Sequence, residues 1–240
     1  MFKTFLRIYK YQQFHINILS IFINPFYFIR KGLYQGIRQY APMLKGRIMD
    51  FGCGSKPYRD LFTVDHYIGV DIEVSGHSHD KEEIDVYYDG KTIPFENNYF
   101  DGVFSSEVFE HIFNLDQILS EIHRVLKPGA TALFTIPFVW DEHEIPYDYG
   151  RYASFGIRHM LEQKGFEILN LDKSTHFLEV WFQLWNLYLH NLIFTKNKYV
   201  NIFLNLIFIF PFTLIGIILT NILPKQRGLY HNSIVFARKK

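Results

Sequence analysis

Apolar positions change their period along the chain. Between about Lys45 and Asp172, short apolar runs alternate with segments of helical spacing. Arg47–Phe51, His66–Val70, Phe100–Ser105, Thr131–Pro137 and Phe166–Leu171 read as strands. Leu115, Ile118, Leu119, Ile122, Val125 and Leu126 recur every three or four residues, which predicts a helix over 115–126. Pro128-Gly129 predicts a turn. A second helix is expected over Ser154–Lys164, with Ser154 as N-cap and Gly165 as C-cap. His231–Lys240 reads as a last strand. Strands alternating with helices predict βαβ units, hence a doubly wound α/β fold with a mainly parallel sheet.

The two ends follow another pattern. Residues 1–31 mix aromatic and aliphatic side chains with sparse charge, and Pro25 should break any helix there. Residues 199–224 hold no charge in 26 positions, and Asn201–Leu223 is mostly Phe, Ile and Leu. That length could cross a bilayer core. The expected organisation is an apolar N-terminal segment (1–31), a cofactor-binding domain (32–172), an apolar helical insertion (173–228) and a final strand (229–240). If the strands on either side of the insertion share a sheet, the insertion must leave and return on one side. This favours a surface-lying or re-entrant helical pair, or a buried cap, over a single span. Lys196 and Lys198 at the far turn of a spanning hairpin would run against the positive-inside tendency.

Composition adds three bounds. The chain has 240 residues, enough for one α/β domain with appendages. One cysteine, Cys53, excludes an intramolecular disulfide. A net charge of +1 argues against a duplex nucleic-acid partner. Lys3, Arg7 and Lys10 interrupt the apolar N-terminus, so no signal peptide is read there. The expected location is the cytoplasmic side of a membrane, or the cytoplasm if the apolar segment is buried.

The chemistry begins at Asp50-Phe51-Gly52-Cys53-Gly54, where a strand ends in an acid and a Gly-x-Gly turn follows. Gly52 and Gly54 can adopt positive φ and let backbone approach a ligand. Pro57 stands where a dinucleotide fingerprint would want its third glycine. Asp71 ends the next strand, 19 residues after Gly52, where a carboxylate can accept both hydroxyls of a ribose. Up to this point NAD and S-adenosylmethionine (SAM) fit equally.

The downstream text separates them. Asp89-Gly90-Lys91-Thr92-Ile93-Pro94-Phe95, the Phe100-Asp101 strand and Ser106-Glu107-Val108-Phe109-Glu110-His111 together resemble the type 11 SAM-dependent methyltransferases. The resemblance implies a seven-stranded Rossmann-like methyltransferase sheet and SAM as cofactor. It implies that Asp50, Gly52 and Gly54 line the methionine end, that Asp71 holds the ribose beside Ile72, and that Asp89 meets the adenine. Ser105, Ser106 and Glu107 would close the floor. Ser55-Lys56-Pro57 departs from the family's usual glycine.

Two constellations could serve the acceptor. Asp141–Tyr152 is dense in acids, His, Tyr and Arg and follows a strand at the carboxyl edge of the sheet. Here His143 is the expected general base, and Tyr147, Asp148 and Arg151 the groups positioning a polar acceptor. The second is Glu107-Val108-Phe109-Glu110-His111, three of whose side chains share one face of a helical turn. It is similar to a divalent-metal segment of certain O-methyltransferases, with His143 as a fourth ligand. The expectation kept here is no metal and a turn held by local hydrogen bonds.

The expected function is methyl transfer to a polar acceptor at a membrane surface: a hydroxyl of a saccharide, a lipid-linked intermediate or a small metabolite. The rivals are a quinone or lipid methyltransferase with an apolar tunnel, and a non-catalytic scaffold of the same fold. A homodimer is compatible with either.

Overall fold

The structure is a computed structural model and describes residues 11–73 and 83–240. The chain divides into two compact units. One runs from Gly36 to Asp172 and resumes at Ser233–Lys240; the other holds the chain up to Gln35 together with Lys173–Asn232.

The first unit is built on a seven-stranded sheet in the order β3-β2-β1-β4-β5-β7-β6. Its strands are β1 Arg47–Phe51, β2 His66–Ile72, β3 Val86–Tyr88, β4 Phe100–Ser106, β5 Leu126–Pro137, β6 Phe166–Lys173 and β7 Asn232–Lys239. The first five pair in parallel along the order β3-β2-β1-β4-β5. Consecutive strands β1, β2 and β3 run one way from the centre, and β4 and β5 the other. The crevice above the carboxyl ends of β1 and β4 is therefore a topological switch point, where open α/β sheets bind ligands.

All six expected strands are present: β1 matches, β2, β4 and β6 run one or two residues further, β5 begins five residues earlier, and β7 is one residue shorter at each end. Strand β3 was not anticipated, because three residues between a charged stretch and a turn carry no usable period. The Pro128-Gly129 turn lies inside β5 rather than before it. Phe100 pairs with Leu126 and Gly102 with Thr131, so Lys127–Ala130 bulges out while pairing holds on both sides. Gly129 takes φ +79°, which explains the glycine.

Helix α3 (Leu115–Val125) matches the expected spacing. Ile118, Leu119, Ile122 and Val125 are fully buried against Met49, Val103, Ala132 and Phe134 of the sheet. Helix α4 (Ser154–Gln163) begins at the expected cap residue itself, one position earlier than a Ser154 cap implies. Ala153 is the extended residue before the first turn, and Ser154 is already helical. Gly165 at φ +85° ends it as expected.

The second unit is helical. It contains α1 (Ser20–Ile23), the start of α2 (Tyr27–Tyr40), α5 (Phe177–Ile193), α6 (Lys198–Leu204) and α7 (Phe210–Ile222). The break between α1 and α2 falls at Asn24-Pro25, as the proline dictates. A π-helical turn, Asn205–Ile209, joins α6 to α7, so Lys198–Ile222 is one helix of 25 residues. By length and composition it could cross a membrane, an 18-residue stretch of it having a mean hydropathy of 2.6. The segment expected at 1–31 and the insertion expected at 173–228 thus belong to one unit; residues 1–10 of that segment lie outside the described residues.

Candidate active site

A cavity of about 310 Å3 opens at the switch point. Its inner wall comes from the β1 and β2 ends: Phe51, Gly52, Gly54, Asp71 and Ile72. Gly52 takes φ +70° and Gly54 φ +45°, a region that costs other residues about 1–2 kcal/mol. A Cβ on Gly52 would lie 2.3 Å from Val108 Cγ2. The turn therefore requires glycine for conformation and for space.

Asp71 is buried, and its carboxylate is fixed by two backbone donors. Gly54 N–H donates to Oδ2 at 2.8 Å and Ile72 N–H to Oδ1 at 2.8 Å. This links the two strand ends and leaves lone pairs on both oxygens for a ligand's hydroxyls. Tyr88 and Gly90 form the adjoining wall. Asn114 donates to the Gly90 carbonyl at 3.1 Å and also lines the cavity. The cradle fits SAM: glycine backbone for close approach, a positioned diol acceptor, and apolar Ile72 and Val108 beside it.

Three expected cofactor residues stand back from the wall. Asp50 is buried and accepts the Tyr67 hydroxyl at 2.6 Å. Burial pushes its carboxyl up to about 7; the Tyr67 hydroxyl opposes this and the Asp71 charge adds to it. Asp89 sits beside Gly90, with Oδ1 accepting the Lys91 and Thr92 amides at 2.9 and 2.7 Å. It shapes the turn that presents Gly90. Ser105 is buried beneath the wall, because its position in β4 points into the core. Cys53 is buried under the turn, and burial pushes its thiol up, which suits packing and not nucleophilic chemistry.

The outer wall comes from the segments after β4 and β5. Glu107, Val108, His111, Glu144, Tyr147 and Tyr149 line it. Glu107 has φ +57° and Glu144 φ +51°. Two non-glycine residues in this region, both facing one cavity, mark strain held at a site. The segment after β4 is a 3-10 turn over Phe109–His111, not the α-helical turn expected, because Glu107 leaves the strand in the left-handed region. Thr135 Oγ1 donates to Glu107 Oε1 at 2.8 Å and holds the side chain.

His111 Nδ1 lies 2.9 Å from the Tyr147 carbonyl. A carbonyl only accepts, so Nδ1 carries the proton and Nε2 of the neutral ring is free to accept or ligate. Burial depresses the imidazole's pKa, which keeps the ring neutral and its Nε2 lone pair unprotonated. His143, the expected base, does not line the cavity. Its ring stands edge-on to His111 with centroids 4.7 Å apart. Asp148 binds its backbone N–H at 3.0 Å and sits 3.3 Å from Nδ1.

Asp148 and Arg151, expected to touch the acceptor, instead grip each other. The pair is bidentate, with Nη2 to Oδ2 at 2.6 Å. Arg151 also donates to the Asp141 and Gly150 carbonyls, both at 2.9 Å. Burial would raise the Asp148 carboxyl, but Arg151's donors and the His143 amide hold it below the usual range. These residues fix the loop that carries His143, Glu144 and Tyr147. Of the expected acceptor residues, Tyr147 alone stands on the wall.

Glu110 is fully buried, and neither carboxylate oxygen has a hydrogen-bond partner. Burial, then the nearby Glu107 charge, pushes its pKa well up. Ligand atoms of Glu110, His111 and His143 all lie within 4.8 Å of one another. One carboxylate and two imidazoles form a donor set that suits a divalent transition metal. Among the expected residues His111 was grouped with a structural turn, and its place on the wall was not legible. No signal in the sequence marks Glu144.

Residues 49–134 match a methyltransferase domain family. The chain is 25% identical over 179 residues to the biotin biosynthesis bifunctional protein BioHC of Saccharophagus degradans, covering 63% of this chain and 32% of that protein. It is 35% identical over 97 residues to the sterol 24-C-methyltransferase erg6 of Schizosaccharomyces pombe, covering 35% of this chain and 26% of that protein. The chain thus spans a third or less of the length of these curated relatives. Phosphoethanolamine N-methyltransferase 2 of Haemonchus contortus, solved with S-adenosyl-L-methionine, shares the fold. Its TM-score is 0.50 at 21% identity, over 92% of this chain and 55% of that one. Residues 49–134 thus match the methyltransferase domain family, and the chain shares the fold of a solved SAM-bound methyltransferase.

Proposed function

We propose that this chain transfers a methyl group from SAM to a polar acceptor at a membrane surface, the acceptor atom being a hydroxyl of a saccharide, a lipid-linked intermediate or a small metabolite. The observation that carries it is the pairing within one cavity of the Gly52–Asp71 cradle with His111, Glu144 and Tyr147. When bound, SAM supplies an activated methyl group. The protein's part is to align the acceptor and take its proton. His111 Nε2 receives the proton, and the Tyr147 carbonyl on Nδ1 keeps the tautomer that allows it. His143 abuts that ring, and the Asp148–Arg151 pair holds the loop.

The relatives named for sterol and phosphoethanolamine methylation support acceptors from lipid metabolism. The apolar helix Lys198–Ile222 supports a membrane setting. The test is transfer of labelled methyl from SAM to membrane extracts, comparing wild type with Asp71→Ala and His111→Ala. Label that wild type fixes and both variants lose supports the reading. Tight SAM binding without transfer to any extract would favour a non-catalytic scaffold.

A second reading is favoured by buried Glu110, whose carboxylate has no hydrogen-bond partner and lies 3.8 Å from His111 Nε2, beside His143. These three residues would hold a divalent cation, which would bind the acceptor oxygen and lower its pKa. Metal analysis of the purified protein, beside Glu110→Gln, separates the two: bound metal lost in the variant supports the cation, and a metal-free, chelator-resistant enzyme supports the imidazole base.

A further inference from the structure

The long helix of the helical unit turns mostly polar residues inward and apolar ones outward. Along the 25-residue helix the buried positions are Asn201, Asn205, Ile209, Thr213, Gly216 and Thr220. Their spacing of four, four, four, three and four traces one inward face, and all but Ile209 are polar or glycine. Between the ends of the helix the exposed positions Phe203, Ile207, Phe208, Leu214, Ile215 and Ile218 are apolar, with Lys198 and Asn221 exposed at its two ends. A helix on a water-soluble protein has the reverse arrangement.

Several interior polar groups bond to one another and to backbone. Asn186 Nδ2 donates to Thr213 Oγ1 at 2.9 Å. Gln183 Nε2 donates to the Pro25 carbonyl at 3.0 Å, and its Oε1 accepts the Phe28 N–H at 3.0 Å. Gly216 allows close approach, since a Cβ there would lie 2.7 Å from Phe28 and 2.8 Å from Phe182. Small residues and interhelical side-chain hydrogen bonds drive helix packing where lipid, not water, is the solvent. In water this surface would exceed the apolar patches that monomeric proteins leave open.

The occupant of that surface follows from its extent and its charge. The exposed apolar face continues onto α5, at Trp181, Trp185 and Leu192. A second copy would cover one side, whereas acyl chains cover every side. Residues 173–232 carry Lys173, Lys196, Lys198, Lys225 and Arg227 against one acid, Glu179, which pairs with Lys31 at 2.9 Å. Cations flank both ends of the uncharged helix, which matches anionic lipid headgroups. We infer that the helical unit is embedded in membrane hydrocarbon, with the outward faces of α5 and of Lys198–Ile222 against acyl chains. This sharpens the membrane part of the proposed function and is independent of methyl transfer.

The experiment uses single-cysteine labelling of the full chain. Cys53 is buried with a raised thiol pKa and stays unlabelled. Phe203→Cys and Ile215→Cys, and Phe155→Cys as the control in α4, would carry an environment-sensitive fluorophore. Phe155 is 82% exposed, so all three sites accept the label. Samples are reconstituted into phosphatidylcholine–phosphatidylglycerol vesicles bearing doxyl groups on the acyl chains. The expected result is a blue shift and at least threefold stronger quenching at 203 and 215 than at 155. Equal quenching at the three sites overturns the inference, as does a dimer that shields 203 and 215 without lipid. Quenching of Trp181 and Trp185 in the unsubstituted chain repeats the test if a variant does not fold. SAM titration of the same samples keeps the readings apart: intact binding without lipid contact removes the membrane and leaves the methyltransferase.

Discussion

Asp71→Asn isolates the cofactor cradle. The side chain keeps its size but loses its charge and one of its two acceptor oxygens. In the structure each oxygen already accepts one backbone N–H, from Gly54 and Ile72, both at 2.8 Å. The asparagine amide can serve one of these donors and must turn its own NH2 toward the other. One strand-end anchor is lost, and one acceptor for the ribose diol with it. Hydrogen bonds to a charged group contribute about 1.5–3 kcal/mol each. With about 1.4 kcal/mol per decade, losing the ribose bond alone should weaken SAM binding by roughly 10- to 150-fold. The assay is calorimetric titration with SAM and S-adenosylhomocysteine. Both should weaken alike, because they share the ribose. Affinity within about twofold of wild type would refute the assignment of Asp71 to the ribose.

Gly52→Ala should cost stability by about 2–5 kcal/mol, combining positive-φ strain with overpacking against Val108, and thermal melting reads it. Asp50 carries a pH signature: its folded pKa stands near 7, above the unfolded value, so the native state holds a proton that the unfolded chain has released. Its contribution to stability is present at low pH and is lost as pH rises from about 4 to 7. Tyr67→Phe removes the hydroxyl bond at 2.6 Å and should move the transition to higher pH; an unmoved transition would mean another group titrates. His111→Ala should remove turnover while SAM affinity holds, whereas His143→Ala should reduce turnover by a smaller factor; the reverse ranking would restore His143 as the base.

The fold was legible because its signals are local. Strand ends, the Gly-x-Gly turn and the α3 stripe are written in neighbouring residues, and Asp71 follows Gly52 across a connection whose one helical element is the 3-10 turn Arg59–Leu61. Strand β3 was not, since three residues have no period to read. The cofactor half of the site was legible for the same reason as the fold. The acceptor half was not: the Asp141–Tyr152 loop reads as a set of equivalent polar side chains. Folding divides them into Asp148 and Arg151, spent on each other, and Glu144 and Tyr147, turned to the cavity.

By itself the sequence determined the order of most strands and helices, the glycine turn, the acid at the end of the second strand, and an uncharged stretch long enough for a bilayer. Those are properties of composition and spacing along one segment. Tertiary structure alone decided that His111 and not His143 stands on the cavity wall, that Glu110 is buried without a partner, and that the apolar helix turns its asparagines and threonines inward. Each depends on which distant segment packs against a residue. That choice belongs to the three-dimensional arrangement of the chain and leaves no trace in the spacing of its neighbours.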